Sequence, residues 1–226
     1  MRSKILFTSL GTLLIAALAC NIRGSAPTPT PLPPPTPSGP AVWVQDDFSD
    51  PASGWGTGGD ADGSLEYQSG EYVVKVNQTS LLVWGTHRTK DIAGVHLAVQ
   101  ASSVGEAADP AFGVVCHYQD DQNFYYLGIG ADGFYAIAKY EADELTILTD
   151  EEGNWLQSDQ IEQNAETYRI EADCGGGRLT LYVDGEQIAS VEDPAFSSGQ
   201  VGLFARSFEA TGVEVRFDNF VATGLE

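Results

Sequence analysis

Residues able to contact a polar ligand concentrate in the stretch 111–140, which reads AFGVVCHYQDDQNFYYLGIGADGFYAIAKY. It contains five tyrosines, a histidine and a lysine, and its alternating positions predict strands with two distinct faces. Aromatic rings stack on apolar ligand surfaces, while a few convergent polar groups fix the ligand's orientation. We expect one outward face to carry this chemistry, with one residue from a later strand: His117, Tyr126, Tyr135, Lys139 and Arg206.

The predicted faces follow from the residues assigned to the core. The core side of the first strand would hold Phe112, Val114, Cys116 and Tyr118. Because side chains alternate along a strand, Cys116 in the core turns His117 outward. Lys139 favours a solvent-facing side for Tyr135 as well, although Ile137 lies between them. The rim is predicted to hold a tryptophan, Trp84 or Trp155. Tyrosines are also common on half-buried strands, so a structural role is the alternative.

A hydrolytic mechanism with two carboxylates needs a pair held about 5 to 9 Å apart. Most acidic residues here fall in predicted turns, and only Glu171 and Asp173 have a suggestive spacing on one strand. They have no third partner, and a solvated strand face is the alternative interpretation. The histidines lie on separate predicted strands: His87, His96 and His117. The sequence therefore does not decide whether the protein is an enzyme, but it favours a protein without enzymatic activity.

These residues must be positioned by short strands. From residue 41 onward, apolar or alternating runs recur about every eight to twelve residues, and no amphipathic helical pattern interrupts them. Glycine-rich turns separate the runs, as at 175–177 and at Asp184-Gly185. We therefore predict an all-β fold, an antiparallel β-sandwich of the jelly-roll type.

The N-terminus has the features of an export signal. Arg2 and Lys4 precede an apolar segment, 5–18, that is too short to span a bilayer comfortably. The end of this segment, Ala17-Leu18-Ala19-Cys20, resembles the lipobox of bacterial lipoproteins. The resemblance implies a signal peptide over 1–19 and lipidation of Cys20. An ordinary cleaved signal peptide is the alternative.

A proline- and threonine-rich tract follows the cysteine. Residues 20–40 hold eight of the eleven prolines, and such a tract favours an extended spacer over packed structure. At about 3.1 Å per residue, twenty residues reach roughly 60 Å. We predict a linker over 20–40 and one domain over 41–226. The domain would be exported and anchored to the outer face of the cell membrane or to an outer membrane.

The predicted domain is strongly acidic. Eight Lys and Arg against 32 Asp and Glu give residues 41–226 a formal charge of −24. Such a field repels nucleic-acid phosphates and anionic lipid surfaces. We therefore expect no nucleic-acid partner, and contact with a membrane only through the N-terminal anchor.

Two cysteines remain in the predicted domain, Cys116 and Cys174, and both fall on the predicted core faces of strands. After export into an oxidising compartment, such a pair is most simply a disulfide. Two separate buried thiols are the alternative. No cysteine or histidine spacing typical of a zinc site is present.

Several motifs resemble the concanavalin A-like lectin/glucanase superfamily. They are DDFSDPASGW near the start of the domain, the stretch 111–140, and RLTLYVDGEQIASVEDPAFSSGQVGLFA with VRFDNFVA near its end. The narrower similarity is to the LamG-like and 3-keto-disaccharide hydrolase-like jelly rolls of bacterial surface lipoproteins. The resemblance implies a sugar-related function, although the motifs themselves are folding signatures.

The resemblance also implies a structural calcium ion that joins the first and last strands. On those predicted strands lie Asp47 (or its neighbour Asp46) and Asp218, with the acidic loop 60–63 nearby. Carboxylate and carbonyl oxygens are the ligands that Ca²⁺ prefers, while ordinary turn acids are the alternative. We expect no other cofactor. The E-x-D-x-x-E motif of the related retaining glucanases is missing.

Three functional hypotheses result. The first is a membrane-anchored lipoprotein whose jelly roll binds carbohydrate or another envelope polymer. The second is a glycan-active enzyme, either a glycoside hydrolase or of the 3-keto-disaccharide hydrolase type. The third is a structural surface module without a small ligand.

Overall fold

A computed structural model describes residues 39–105 and 110–225. These residues form two antiparallel β-sheets, so the predicted fold class is confirmed. Among them, no helix has the length and hydrophobicity needed to cross a membrane. The predicted signal peptide (1–19), the lipidated Cys20 and nearly all of the linker (20–40) lie outside the described residues and stay predictions.

The first sheet has nine strands in the described chain. They are Val42–Asp46 (β1), Gly58–Gly59 (β2), Gly63–Gln68 (β3), Glu71–Val76 (β4), Val95–Val104 (β6), Tyr168–Gly175 (β12), Arg178–Val183 (β13), Glu186–Glu192 (β14) and Val213–Gly224 (β16). Their order is β14-β13-β12-β6-β16-β4-β3-β2, and β1 pairs with β16. We call this layer the nine-stranded sheet.

The second sheet has seven strands. They are Leu82–Thr86 (β5), Ala111–Asp120 (β7), Asn123–Gly130 (β8), Phe134–Glu141 (β9), Glu144–Ile147 (β10), Leu156–Gln157 (β11) and Gln200–Arg206 (β15). Their order is β10-β9-β8-β7-β15-β5, and β11 pairs with β9. We call this layer the seven-stranded sheet.

The last strand, β16, organises the nine-stranded sheet. Its residues Val213, Val215 and Phe217 alternate inward and are buried, while its two edges pair with β4 and β6. A bulge follows, where the pairing with β6 shifts between Asp218 and Val221 and Asn219 has a φ of 52°. Beyond it β1 pairs with β16, so the first and last strands are neighbours.

The main core lies between the two sheets. Val114 and Leu127 of the seven-stranded sheet and Leu97 and Ile170 of the nine-stranded sheet are fully buried in it. Cys116 on β7 and Cys174 on β12 form a disulfide across the two layers, with their Cα atoms 6.6 Å apart. The predicted disulfide is therefore confirmed.

The first strand ends at Asp46, two residues before Phe48. The carboxylate of Asp46 accepts hydrogen bonds from the backbone N of Phe48 (2.8 Å) and from Nε1 of Trp55 (2.9 Å). Phe48 turns to a φ of 54°, and Trp55 packs edge-on against Phe220 of β16. The buried Asp46 thus fixes the loop that follows β1.

Candidate ligand-binding face

The outward side of the seven-stranded sheet carries a second hydrophobic cluster, separate from the core between the sheets. Its fully buried members are Val115, Phe124, Tyr126, Ala138 and Phe204, and its half-buried members are Leu82, Trp84, Tyr118, Tyr140, Ile147 and Trp155. We call this surface the aromatic face. An outward sheet face is usually polar in a sandwich, whereas here half-buried rings overlie a fully buried apolar layer.

Glycines let the rings lie close to the sheet. A Cβ added at Gly128 would come within 2.5 Å of Cζ of Phe204 and 2.4 Å of the backbone oxygen of Phe112. Phe204 therefore extends from β15 over the β7–β8 ladder, where a larger residue than Gly128 would push it away. The ring of Tyr126 packs 4.9 Å from that of Phe204. The floor of the face is thus formed by side chains lying across the strands.

A further set of rings continues this floor toward the other end of the strands. Phe124 stacks on Tyr140 at 5.4 Å, and its ring also lies 5.0 Å from Trp84 and 5.8 Å from Tyr118. Contacts of this kind between ring systems add to the stability that buried area provides. They also hold Trp84 and Tyr118, which remain half-exposed, in fixed positions at the surface.

One end of the aromatic face opens into a cleft of about 460 Å³, which we call the Arg206 cleft. Its lining includes apolar, aromatic, polar and charged groups: Asp132, Leu145, Asn154, Trp155, Arg206 and Phe208. The ring of Trp155 meets that of Phe208 edge-on at 5.5 Å. This mixture of a ring wall with a few polar groups is typical of small-molecule sites.

Arg206 is held in place by two aromatic residues. Its Nη1 donates a hydrogen bond of 3.1 Å to the hydroxyl of Tyr126, and its guanidinium carbon lies 5.1 Å from the ring centre of Phe208. Burial raises the pKa of Tyr126, and the positive charge of Arg206 offsets part of that rise. Tyr126 is therefore a neutral acceptor that positions the guanidinium.

A second cleft of about 510 Å³ lies on the other side of β5, and we call it the Trp84 cleft. It is lined by Trp84 and Leu82 together with three exposed carboxylates: Asp60, Asp62 and Asp121. The hydroxyl of Tyr118 donates a 2.6 Å hydrogen bond to Asp121. Burial and then this carboxylate raise the pKa of Tyr118. The cleft thus combines a ring with hydrogen-bond acceptors.

The two clefts border the same pair of strands. Leu82 in the Trp84 cleft is the direct partner of Arg206 across the β5–β15 ladder, and Trp84 is the partner of Phe204. Directly paired residues in an antiparallel ladder have Cβ atoms about 4.5–5.5 Å apart. The linings of the two clefts therefore meet at the β5–β15 ladder.

The structure brings together two of the five predicted site residues. Tyr126 and Arg206 lie on the aromatic face, as the alternation predicts, and they are hydrogen-bonded to each other. The tryptophans predicted at the rim, Trp84 and Trp155, both belong to this face. Whether these residues bind a ligand stays a prediction.

The predicted orientation of Tyr135 and Lys139 is wrong. Tyr135 packs against the core between the sheets, on the same side of β9 as the buried Ile137. Lys139 lies on that side too, and its Nζ reaches Asp193 (3.2 Å) and Glu141 (3.1 Å). Burial works against the charged form of Lys139, but these carboxylates outweigh it and raise its pKa. Its charge is satisfied by the protein itself.

His117 is also turned differently from the prediction. The pairing of β7 with β8 shifts between Cys116 and Asp120, and His117 has a φ of 49°, so alternation is broken there. The imidazole is buried, and its nitrogens lie 3.0 Å from the backbone oxygen of Phe196 and 3.1 Å from that of Ala93. Burial lowers the pKa of His117, against the opposing effect of these oxygens. We assign it a structural role.

The same bulge explains a site residue that sequence reasoning missed. Tyr118 falls on the predicted core side, but the bulge turns it to the aromatic face. Phe124 was also missed, although alternation from Tyr126 would have placed it outward. Tyr140 was missed because the predicted outward orientation of Lys139 placed it on the core side. Phe208 follows β15 in a loop, and no periodic signal could have indicated its place beside Arg206.

The carboxylates considered for catalysis lie away from the aromatic face, on β12 of the nine-stranded sheet. Oδ1 of Asp173 is 2.7 Å from Nδ1 of His96, and its Oδ2 accepts a 3.0 Å hydrogen bond from Tyr182. Glu171 is bonded to Arg169. These pairs form a cross-strand polar network on an outward strand face, in line with the solvated-face alternative.

The predicted calcium ligands are used in local turns. Oδ1 of Asp47 accepts hydrogen bonds from the backbone N and the hydroxyl of Ser49, and Asp218 accepts one from the backbone N of Asn219. Within residues 39–105 and 110–225, no three or more His, Cys, Asp or Glu side chains are grouped to hold a metal ion. The calcium ion itself stays a prediction.

Comparisons with known proteins identify the fold. No protein-family model and no curated protein sequence match this chain. The carbohydrate-binding module CBM66 from Bacillus subtilis aligns with a TM-score of 0.59 at 16% identity, over 76% of this chain and 96% of that one. A β-glucanase from Bacillus licheniformis aligns with a TM-score of 0.56 at 9% identity, over 82% and 99%.

A third solved structure is a protein of unknown function with a galectin-like fold from Bacillus subtilis. It aligns with a TM-score of 0.57 at 10% identity, over 81% of this chain and 96% of that one. Likeness at such identities concerns the fold alone. The three structures are consistent with a concanavalin A-like jelly roll, an architecture that supports binding and hydrolytic functions alike.

Proposed function

We propose that this protein binds carbohydrate through the aromatic face of the seven-stranded sheet. The observation that carries the proposal is the outward layer of rings with a cleft on either side of the β5–β15 ladder. Sugar rings have apolar C–H surfaces that stack on aromatic side chains, and hydroxyl groups that need hydrogen-bond partners. The two clefts offer both kinds of contact.

Each cleft would use its residues in a distinct way. In the Trp84 cleft the indole would stack on a sugar ring, while Asp60, Asp62 and Asp121 accept hydrogen bonds from hydroxyls. In the Arg206 cleft Trp155 would supply the stacking surface. The rings are packed against one another before any ligand arrives, so little ordering is required on binding.

We further propose that the domain is exported and tethered to a membrane through lipidated Cys20. The support for this is the lipobox-like sequence and the proline-rich tract. A spacer of roughly 60 Å would let the aromatic face reach a polymer beyond the membrane surface. Envelope or environmental polysaccharides are the partners that fit this arrangement.

A glycan array probed with the purified protein tests the proposal. We expect binding to at least one polysaccharide class, and a loss of at least tenfold in affinity for Trp155→Ala. The matched control is Trp43→Ala, because Trp43 is an exposed tryptophan on β1 of the other sheet, 54% accessible. No binding to any glycan would refute the proposal. Release of reducing sugar from a bound glycan would instead favour the glycan-active enzyme.

A further inference from the structure

We infer that the Arg206 cleft recognises an acidic sugar unit, whose anionic group pairs with the Arg206 guanidinium. The inference rests on the proposed carbohydrate binding and names the class of sugar. It arises from one cationic side chain that has no carboxylate partner. This cation separates the cleft from the Trp84 cleft, whose charged groups are all carboxylates.

Arg206 differs from the other cations of the described chain. Five of the eight Lys and Arg side chains lie within 4.0 Å of a carboxylate: Lys75, Lys139, Arg169, Arg178 and Arg216. Arg88 and Lys90 are exposed to solvent. Among residues 39–105 and 110–225, Arg206 is thus the one cation that is both half-buried and without a carboxylate partner. In a domain with 32 acidic residues, this isolation points to a counter-ion supplied by a ligand.

The guanidinium also has unused hydrogen-bonding capacity. In the part of the chain that is described, its one hydrogen-bond acceptor is the hydroxyl of Tyr126, and its Nε is buried without a partner. A buried donor without an acceptor is destabilising. Since guanidinium groups bind carboxylate or sulfate oxygens through pairs of parallel hydrogen bonds, an anionic substituent would use this capacity better than a single hydroxyl.

Two carboxylates, those of Asp132 and Glu209, line the same cleft and could repel an anionic ligand. Glu209 is exposed, so its carboxylate can remain in water. Asp132 lies in the β8–β9 turn, where its Oδ1 is 3.4 Å from the backbone N of Phe134. Neither lies within 4.0 Å of the Arg206 nitrogens. They can accept hydrogen bonds from sugar hydroxyls beside the anionic group.

The acidic surface of the domain repels an approaching anion, but this repulsion does not prevent an ion pair with Arg206 at contact distance. Exposed charges beyond about 8 Å are largely screened at physiological ionic strength, whereas a half-buried pair at contact distance is screened much less. The long-range repulsion should therefore lower the association rate, and added salt should weaken binding far less than it weakens a binder that relies on a basic patch.

Matched glycan pairs test the inference. The purified protein is titrated with oligogalacturonate and its carboxyl-reduced form, with sialylated and asialo oligosaccharides, and with sulfated and desulfated galactans. We expect one acidic member to bind at least about tenfold tighter than its neutral partner, which corresponds to about 1.4 kcal/mol. Arg206→Gln should remove that preference, so the acidic member should lose at least about tenfold more affinity than its neutral partner.

Two further variants guard against a folding artefact. Arg206→Lys keeps the charge without the planar fork and should retain part of the preference, and Arg88→Gln should keep all of it. Equal binding of acidic and neutral members would overturn the inference while leaving carbohydrate binding in place. An equal loss of both members in Arg206→Gln would also overturn it, because Arg206 would then bind hydroxyls. No binding to any member, while the glycan array finds another ligand, would overturn the inference; no binding on the array either would contradict the proposed function itself.

Discussion

Replacing Cys116 and Cys174 together by alanine should lower the free energy of unfolding by about 4 kcal/mol. The disulfide closes a loop of 58 residues, and the loss of chain entropy in a cross-linked unfolded chain of that length gives about 4 kcal/mol. The bridge joins β7 to β12 across the sandwich. Without it, these two segments can move apart in the unfolded chain. For a domain of this size, the melting temperature should fall by about 12 °C.

Urea unfolding followed by tryptophan fluorescence measures this change. The matched control is wild-type protein that is unfolded, reduced and refolded under reducing conditions, since it keeps both sulfur atoms but lacks the bond. Wild type in its reduced form and the double alanine variant should lose similar amounts of stability. The difference between them reports the packing of the two fully buried sulfur atoms.

The slope of the unfolding free energy against urea should also rise slightly, because an unfolded chain without the cross-link exposes more surface. A loss below about 1 kcal/mol in both the reduced protein and the variant would refute the reasoning. It would mean that the two sulfurs are not bonded, or that the unfolded chain stays compact without the bond.

Three other changes follow from the buried polar contacts. Asp46→Ala removes the acceptor for Trp55 and should destabilise the fold by about 3 kcal/mol in urea unfolding; a loss under 1 kcal/mol would contradict that role. Burial holds the pKa of His117 below 6.5. The stability that the neutral imidazole contributes is therefore full above pH 6.5 and is lost as the pH falls toward the folded-state pKa. His117→Gln should remove this pH dependence of the free energy of unfolding, and an unchanged pH dependence would refute the assignment. Burial works to raise the pKa of Asp193, but its hydrogen bonds and Lys139 outweigh it and lower the pKa below 3.8. Its contribution is present above pH 3.8 and lost as the pH falls through the lower folded value, so Asp193→Asn should flatten the acid end of the stability profile, and an unaltered acid limb would count against the pairing.

Much of the fold could be predicted because its signals are local. The alternation in β15 separates Leu203, which is buried in the core, from Phe204, which turns outward. Turn residues such as Gly185, with a φ of 85°, mark where strands reverse. The two domain cysteines are both fully buried. Their pairing could be predicted because both fall on core faces of strands and because the domain contains two cysteines.

The candidate site was predicted only in part because it depends on contacts between distant segments. The bulge at His117 requires a positive φ from a residue that rarely adopts it, and it is held by carbonyl groups of two other loops. Lys139 resembles a solvent-facing residue in the sequence, but its partner Asp193 follows β14 in another sheet. Periodicity along one strand carries no information about such partners.

The clefts were beyond sequence reasoning for the same reason. Trp155 and Phe208 meet edge-on although they belong to different loops. The loop around Asp60 reaches Trp84 only because β3 and β5 lie close together at the edges of the two sheets. Sequence could indicate that tryptophans would lie at the rim, but the shape of the rim is a property of the assembled sandwich.

The four tryptophans allow a direct test of the claim that the aromatic face is the binding surface. Trp84 and Trp155 lie on that face, Trp55 is buried in the main core, and Trp43 is exposed on the other sheet. The protein labelled with 5-fluorotryptophan would be titrated with the tightest-binding oligosaccharide from the glycan array. Its ¹⁹F signals would be assigned by single Trp→Phe variants. We predict that the resonances of Trp84 and Trp155 shift while those of Trp43 and Trp55 stay in place. A shift of Trp43 with Trp84 and Trp155 unmoved would contradict the account.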